Sequence, residues 1–486
     1  MAVNGTMMQY FEWHTQADGK HWKRLKEDAA HLHELGITAV WIPPCFKSTY
    51  PEDVGYGIYD LFDLGEFDQK GGIATKYGTK EELLEAIEEL HKYNIQVYAD
   101  VVLNHKGGAD GTEQFMAVEV DPMDRHKEIS EPHEIEGWTR FYFPGRQKKY
   151  SDFEWHWYHF SGTDKDEATG EEGIFRIEGE NKGWADDSLV DTELGNYDYL
   201  MYANIDYNHP DVAEHIKEWA KWFVNETGVD GFRLDAVKHI HHGFISELVD
   251  FLHEEFGEDF YIVAEYWQAE LENLENYLKK QQFKISLMDV QLHFSFHDAS
   301  LSGNNYDLRS LFDETLILER DEHAVTFVDN HDSQLGQSLE SWVDDWFKPL
   351  AYGWILLTQK GYPCIFYGDY YGIMGSDTSL GIRETLDKLM YARKEYAYGK
   401  QENYVDHPNC IGFVRKGNEE YPEGCAVVLS NSEEGWKKMN IGHNKAGQEY
   451  TDLLGNRKDT IIIGEDGWAF FPVDAGSISV WIKKSD

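Results

Sequence analysis

The chain has 486 residues, 41% hydrophobic and 15% aromatic, enough to bury the core of a multi-domain protein. Its 44 basic and 89 acidic residues give a net charge of −45, which repels nucleic acid and anionic membrane surfaces and leaves a neutral ligand unaffected. No apolar run approaches the ~20 residues of a membrane span, and the four cysteines (Cys45, Cys364, Cys410, Cys425) lack the CxxC spacing of zinc or redox motifs.

Met1 and Ala2 run directly into a strand entry at Asn4–Tyr10. With free thiols suited to a reducing compartment, this gives the expectation of a cytoplasmic protein, the alternative being a secreted one whose leader has been removed. Eight short apolar runs then read as strands: Met7–Trp13, Ala39–Ile42, Gln96–Leu103, Gly231–Ala236, Tyr261–Glu265, Ser286–Val290, Ala324–Val328 and Cys364–Tyr367. Between them lie helical patterns at Trp22–Leu35, Glu81–Tyr93, Asp211–Asn225, Phe244–Phe256, Glu270–Gln281, Asp307–Phe312, Asp345–Gln359 and Thr385–Tyr396. Thr79 and Glu82 have capping-box spacing, and Pro210 suits a first helical turn. Strand–helix alternation with eight strands predicts a closed (β/α)₈ barrel.

The rhythm breaks between His105 and Asn208, a Gly-, Asp-, Trp- and Tyr-rich stretch too long for a structureless loop, which predicts an inserted domain after the third strand. Beyond Gly399 the pattern turns to short antiparallel strands at Gly412–Arg415, Cys425–Ser430, Lys438–Ile441, Thr460–Ile463, Ala469–Phe471 and Ser477–Lys483. The expected organisation is a catalytic barrel over residues 1–104 and 209–398, an irregular β-rich insertion over 105–208 and a C-terminal β-sandwich over 399–486.

Barrel enzymes place reacting groups where strands end. Several strands here end on Asn104, Asp235, Glu265, Asp289, Asp329 and Asp369. Residues two apart share a strand face, so Arg233 and Asp235 point the same way, and a cation beside a carboxylate keeps it ionised, as a nucleophile requires. Glu265 follows an apolar run and is flanked by aromatics; burial would raise its pKa and suit it to hold a proton. The seventh strand leads to His331 and Asp332. Any one of these groups could be a helix cap or a solvated loop residue, but barrel closure brings them together.

Four segments, Asp100–His105 (DVVLNH), Gly231–His239 (GFRLDAVKH), Ala264–Trp267 (AEYW) and Phe327–Asp332 (FVDNHD), resemble the four signature regions of the α-amylase family of glycoside hydrolases. Gly55–Asp60 (GYGIYD), Tyr197–Asp206 and Thr6–Trp13 (TMMQYFEW) extend the resemblance, which spans the whole chain and is strongest for bacterial liquefying-type members. It implies a retaining endo-hydrolase of internal α-1,4 bonds in starch, glycogen or maltodextrins. Asp235 would be the nucleophile, Glu265 the acid/base and Asp332 the third carboxylate. Arg233 would orient Asp235, with Asp100 paired to Arg233. His105 and His331 would hydrogen-bond the reacting sugar, Tyr56 would stack on it, Trp13 and Trp267 would contact it, and Lys238 and His239 would contact the leaving-group side. Double displacement asks for carboxyl groups ~5–5.5 Å apart.

The resemblance also implies a structural Ca²⁺, held by Asn104, Asp198, Asn204 and the backbone carbonyl of His239. Asn204 stands where relatives of this type usually carry Asp, and Ser161 and Asn208 stand where carboxylates often support a second metal cluster, with Asp187 and Asp206 remaining. These neutral residues imply one Ca²⁺ or Na⁺, weakly held, and no full cluster. The expected partner is a neutral α-glucan, with no nucleic acid, no membrane and a monomeric chain. The rival readings are a transglycosylase or other α-glucosidase specificity on the same fold, which Lys238-His239 argues against in part, and a catalytically inactive glucan-binding barrel, against which all three carboxylates stand.

Overall fold

The computed structural model describes residues 4–376 and 379–484; Met1 and Ala2 lie outside them. Eight parallel strands close a barrel: β1 (Met7–Gln9), β2 (Ala39–Ile42), β3 (Gln96–Val101), β4 (Gly231–Leu234), β5 (Tyr261–Ala264), β6 (Ser286–Met288), β7 (Ala324–Phe327) and β8 (Tyr362–Phe366). They pair in sequence order, with β8 returning to β1 through Met7 opposite Cys364. Strands buried on both faces explain the continuous apolar runs, and most are shorter than the sequence suggests because the chain leaves the ladder to build loops. Val290, for example, begins a helix, because the Asp289 carboxylate accepts the Leu292 amide at its N-terminus.

The surrounding helices are α1 (His21–Leu35), α2 (Lys80–Lys92), α3 (Pro210–Thr227), α4 (His242–Phe256), α5 (Leu271–Lys280), α6 (Val290–Ser302), α7 (Lys348–Leu357) and α8 (Arg383–Glu395). The Thr79–Glu82 capping box forms at α2, and Pro210 sits at the start of α3. One expectation fails. Asp307–Phe312 is no α-helix; it holds a single 3₁₀ turn, Leu308–Ser310, and the helix after β6 is α6. The face that α6 buries mixes His293, Ser295 and Ser300 with Val290, Leu292 and Phe296, which erases the apolar period that marks a helix in sequence.

After β3 the chain builds a seven-stranded antiparallel sheet from His105–Lys106, Gly111–Asp121, Asp124–Glu128, His133–Arg140, Phe160–Asp166, Glu171–Ile177 and Ala203–Ile205. Its first and last strands pair with each other, Asn204 opposite His105, so the insertion leaves and re-enters at the mouth of the barrel.

The C-terminal part pairs a six-stranded antiparallel sheet with a two-stranded one made of β9 (Gly435–Asn440) and β10 (Trp468–Val473). Val414, Val428, Met439, Phe471 and Trp481 fill the space between. Strands Gln401–Tyr404 and Glu449–Asp452, absent from the sequence reading, are polar and sit near the ends of the larger sheet. The sandwich docks on α7, where the Trp354 and Phe413 rings meet edge to face at 4.8 Å.

Candidate active site

The C-terminal ends of β3, β4 and β5 lie side by side, and Arg233 pairs in register with Asp100 on one flank and Val263 on the other. The Arg233 guanidinium, 1% exposed, joins three carboxylates. Its Nη1 donates to Asp100 Oδ1 at 2.9 Å and to Asp235 Oδ1 at 2.6 Å, and its Nη2 donates to Glu265. A lysine point charge could not present two separated donors in one plane. Asp100 also accepts from Trp41 Nε1 at 3.0 Å and from the Tyr56 hydroxyl at 2.9 Å. Burial pushes the Asp100 carboxyl up to about 6 against the pull of Arg233.

Glu265 is pushed up to about 7, first by burial and then, against Arg233, by the charges of Asp235 and Asp100. Asp332 is held well above the usual carboxylate range, first by burial and then by the charge of Glu265. The cluster therefore sets Asp235, held by Arg233, beside two carboxyls, Glu265 and Asp332, that are raised above the usual carboxylate range, the property a proton donor near neutrality needs. After Asp235 the backbone turns sharply. Ala236 has φ +47°, a left-handed conformation that is uncommon for a residue with a Cβ, and the Val237 amide then donates to the Glu265 carbonyl at 3.1 Å.

His331 is fully buried, and burial holds its pKa well below the ordinary histidine value, so the ring is neutral. The Gln9 side-chain nitrogen lies 3.0 Å from Nδ1. As an amide donor it leaves the ring proton on Nε2, which lies 3.2 Å from Asp332 Oδ2. Gln9, at the end of β1, is a tautomer-setting residue that the sequence reading did not single out; its two-residue phase with Met7, which faces the barrel interior, was the available signal.

Tyr56, Trp13 and His331 present near-parallel stacked rings, within 6° of one another and 5.0–6.1 Å between centroids, an aromatic wall in which Trp13 and Tyr56 are half-buried and His331 is fully buried. Gly55, at φ +119°, lets the chain pass Pro44, whose Cβ would lie 2.7 Å from any Cβ placed there. His105 lies beside this wall, but its Nε2 is 2.8 Å from the Tyr56 carbonyl, so its proton supports the Tyr56 loop. Lys238 contacts Glu193 of the insertion and lies 3.4 Å from the Trp267 carbonyl, while His239 donates through Nδ1 to the Tyr197 carbonyl at 2.7 Å. Trp267 packs on His293 and Phe294 with part of its ring exposed.

Three other strand-end carboxylates have structural partners. Asp289 caps α6, and Asp329 and Asp369 share the buried ammonium of Lys348.

Asn104, Asp198, Asn204 and the His239 carbonyl converge where the insertion meets the barrel. Asn104 Nδ2 is 3.3 Å from the carbonyls of Asp198 and His239. The Asp198 carboxylate accepts from Ser161 Oγ at 3.0 Å and the Ala185 amide at 3.1 Å, and Asn204 Oδ1 is buried without a donor. A separate cluster at the start of α3 brings His159, His209 and Asp211 within 4.8 Å of one another. There His159 Nδ1 accepts the His156 amide, so its Nε2 carries the proton and cannot also ligate a metal in the neutral ring.

The alpha amylase catalytic-domain family matches residues 16–411, and the alpha-amylase C-terminal family matches residues 425–482. The chain is 52% identical over 485 residues to an alpha-amylase of Bacillus licheniformis, covering 99% of this chain and 94% of the relative. It is 45% identical over 491 residues to a cytoplasmic alpha-amylase of Escherichia coli, covering 99% of each. Among solved structures, an alpha-amylase from Geobacillus thermoleovorans superposes with a TM-score of 0.65 at 19% identity, covering 99% of this chain and 98% of that one, a likeness of fold.

Proposed function

The chain belongs to the alpha-amylase family of glycoside hydrolases, and from that premise we propose that it cuts internal α-1,4 bonds of starch-type glucans with Asp235 as nucleophile and Glu265 as acid/base. The observation that carries this reading is the single guanidinium of Arg233 holding Asp100, Asp235 and Glu265 at the ends of three neighbouring strands. Glu265 gives its proton to the glycosidic oxygen as an Asp235 oxygen attacks the anomeric carbon, and the sugar–oxygen bond breaks with its electrons on the protonated leaving group. Glu265, now ionised, takes a proton from water, whose oxygen displaces Asp235 and restores the starting configuration. Asp332 and the Nε2–H of His331 would hold hydroxyls of the strained ring. The Tyr56–Trp13 wall supplies a flat apolar face for it, and Lys238, His239 and Trp267 flank the departing chain.

The test is viscosity loss of soluble starch. Wild type thins the solution faster than it releases reducing ends, and Glu265→Gln does neither; equal inactivity of both proteins overturns the hydrolase reading and favours a glucan-binding barrel. A second expectation concerns pH. The acid must be protonated to act, and its folded pKa is raised to about 7, so kcat/KM falls as pH rises through about 7. A profile flat from pH 6 to 9 removes Glu265 from the acid role.

Family resemblance implies a structural calcium ion, and Asn104, Asp198, Asn204 and the His239 carbonyl are the residues that would hold it. The set fits one hard cation. Asn204 Oδ1 has no donor, Asp198 is pushed up to about 7 by burial, and turning the Asn104 amide over would replace its nitrogen with a third oxygen. When bound, the ion supplies positive charge that ties the insertion to the barrel. One carboxylate gives a weak site. Beside it, Lys182 already neutralises Asp206 through a buried 2.5 Å contact, with neutral Ser161 and Asn208 nearby, which supports one ion and no cluster. Addition of a chelator is expected to lower the melting temperature by a few degrees at most; a large drop contradicts weak binding. Four free, buried cysteines and the likeness to a cytoplasmic relative support a cytoplasmic location.

A further inference from the structure

Three loops around the barrel mouth meet at one buried carboxylate that the reaction above does not use. Glu12, 1% exposed, lies just beyond β1. Its Oε2 accepts from the His14 amide at 2.7 Å and from Gln334 Nε2 at 3.2 Å, and its Oε1 accepts from the Met374 amide at 3.4 Å. His14 belongs to the loop after β1, Gln334 to the loop after β7 and Met374 to the loop after β8. All three partners are uncharged N–H groups, so the place suits a side chain that offers two acceptor oxygens and no donor. Packing alone would be met by an apolar residue, since a carboxylate buried without a cation costs stability. Gln334, fully buried, passes the contact on. An ionised Glu12 can only accept and the Trp13 amide can only donate, which sets the Gln334 side chain: its Oε1 takes the Trp13 N–H at 3.1 Å. Lys76 Nζ donates to the Trp13 carbonyl at 3.2 Å. Trp13 is thus tied through both its N–H and its carbonyl, and its ring lies within 3° of the plane of Tyr56 and 6° of His331.

We propose that Glu12 is a positioning residue: it fastens the loops after β1, β7 and β8 to one another and so fixes the Trp13 ring as a platform for the glucan. The choice of a glucan rests on the function proposed above; the junction of the three loops does not. Glu12 acts through Trp13, because its own carboxylate is enclosed by the loops it joins. Glutamine would fill the same space with a single acceptor oxygen. Turned either way, its NH₂ group would face the backbone N–H of His14 or of Met374. The loops part to relieve that conflict, and Trp13 leaves the plane it shares with Tyr56 and His331. A displaced platform weakens the hold on the sugar chain. Proton transfer and attack are spared, because among the described residues no hydrogen bond joins this network to Asp235 or Glu265, whose partner is Arg233.

The test is a double-mutant cycle on the full chain, with soluble maltoheptaose as substrate. Glu12→Gln is expected to raise KM roughly tenfold and to leave kcat within about threefold. Trp13→Ala should raise KM by a similar factor, and the double variant should be no worse than Trp13→Ala alone, because the carboxylate acts only through that ring. Gln334→Met cuts the same link from the other side and should repeat both results, which keeps the cycle usable if Glu12→Gln folds poorly. Melting curves set an assay temperature at which every variant is folded. A carboxylate that merely stabilises the fold would lower the melting temperature and leave KM unchanged, and that result overturns the proposal. Effects of Glu12→Gln and Trp13→Ala that multiply in the double variant overturn it as well, as does a loss confined to kcat. The same cycle read as maltoheptaose Kd by calorimetry, in the Glu265→Gln background, separates this inference from the catalytic reading. Non-additive losses of binding in a protein that hydrolyses no α-glucan uphold Glu12 and sink the hydrolase, whereas a wild type that binds no maltoheptaose overturns both.

Discussion

Asp235→Asn is expected to lower kcat on a soluble maltooligosaccharide by on the order of 10⁴-fold or more, with little change in KM. Asparagine keeps the shape of the side chain, and its Oδ1 can still accept from Arg233, which now lies 2.6 Å from Asp235. The pocket therefore stays filled and the substrate still binds. What disappears is the anion that must form a bond to the anomeric carbon, and no rotation of an amide replaces it. Two measurements check this. Circular dichroism should be unchanged, and single-turnover rates should collapse along with kcat. In the wild type, proton NMR should detect the α-anomer of the new reducing end first, since two displacements restore configuration. An initial β-anomer, or an Asp235→Asn enzyme retaining a tenth of wild-type kcat, would remove Asp235 from the nucleophile role.

The largest effect on stability is expected at Lys348→Met. Lys348 donates to Asp329 at 2.8 Å and to Asp369, with all three side chains at most 1% exposed, and it lies 3.1 Å from the centre of the Trp342 ring. Methionine matches the length of the lysine stem, so packing is nearly conserved and what is lost is charge. Two carboxylates remain in a space with no cation, a change that costs about 3–5 kcal/mol. The sign of the pH effect follows. Asp329 is already pushed up to about 8 by burial, with Lys348 opposing. Without Lys348 it holds its proton more firmly still, so the deficit is smallest below about pH 8, where Asp329 keeps its proton with or without Lys348, and grows as pH rises above it. Urea midpoints at pH 7 and at roughly pH 9.5 measure it, and adding Asp329→Asn should recover part of the loss. Equal midpoints for Lys348→Met and wild type at roughly pH 9.5 would contradict the account.

The barrel was legible because its strands are buried on both sides and read as unbroken apolar runs, and because helices such as α2 and α3 announce their starts with a capping box and a proline. The residues proposed to react were legible for a related reason: in a closed barrel, a polar residue at the end of an apolar run has few places to point. The same rule over-reads. Asp289, Asp329 and Asp369 satisfy it equally well, yet serve a helix cap and a buried ion pair whose cation, Lys348, comes from the start of α7, the helix between β7 and β8. Pairings of that kind are contacts across the fold and leave no local trace. Gln9 escaped notice because an amide inside an apolar strand has no charge to betray it. Helix α6 escaped because buried polar groups break its periodicity.

The left-handed turn at Ala236 bears on how the reaction barrier is met. A residue kept in an awkward backbone state persists because everything around it is fixed: the strand before it, the carbonyl of Glu265 after it, the arginine beneath. Such a frame does not yield to accommodate a guest. With Asp235 as the proposed nucleophile, the flattening demanded by the approach to an oxocarbenium-like state would have to be taken up by the pyranose itself, with the polypeptide acting as the anvil.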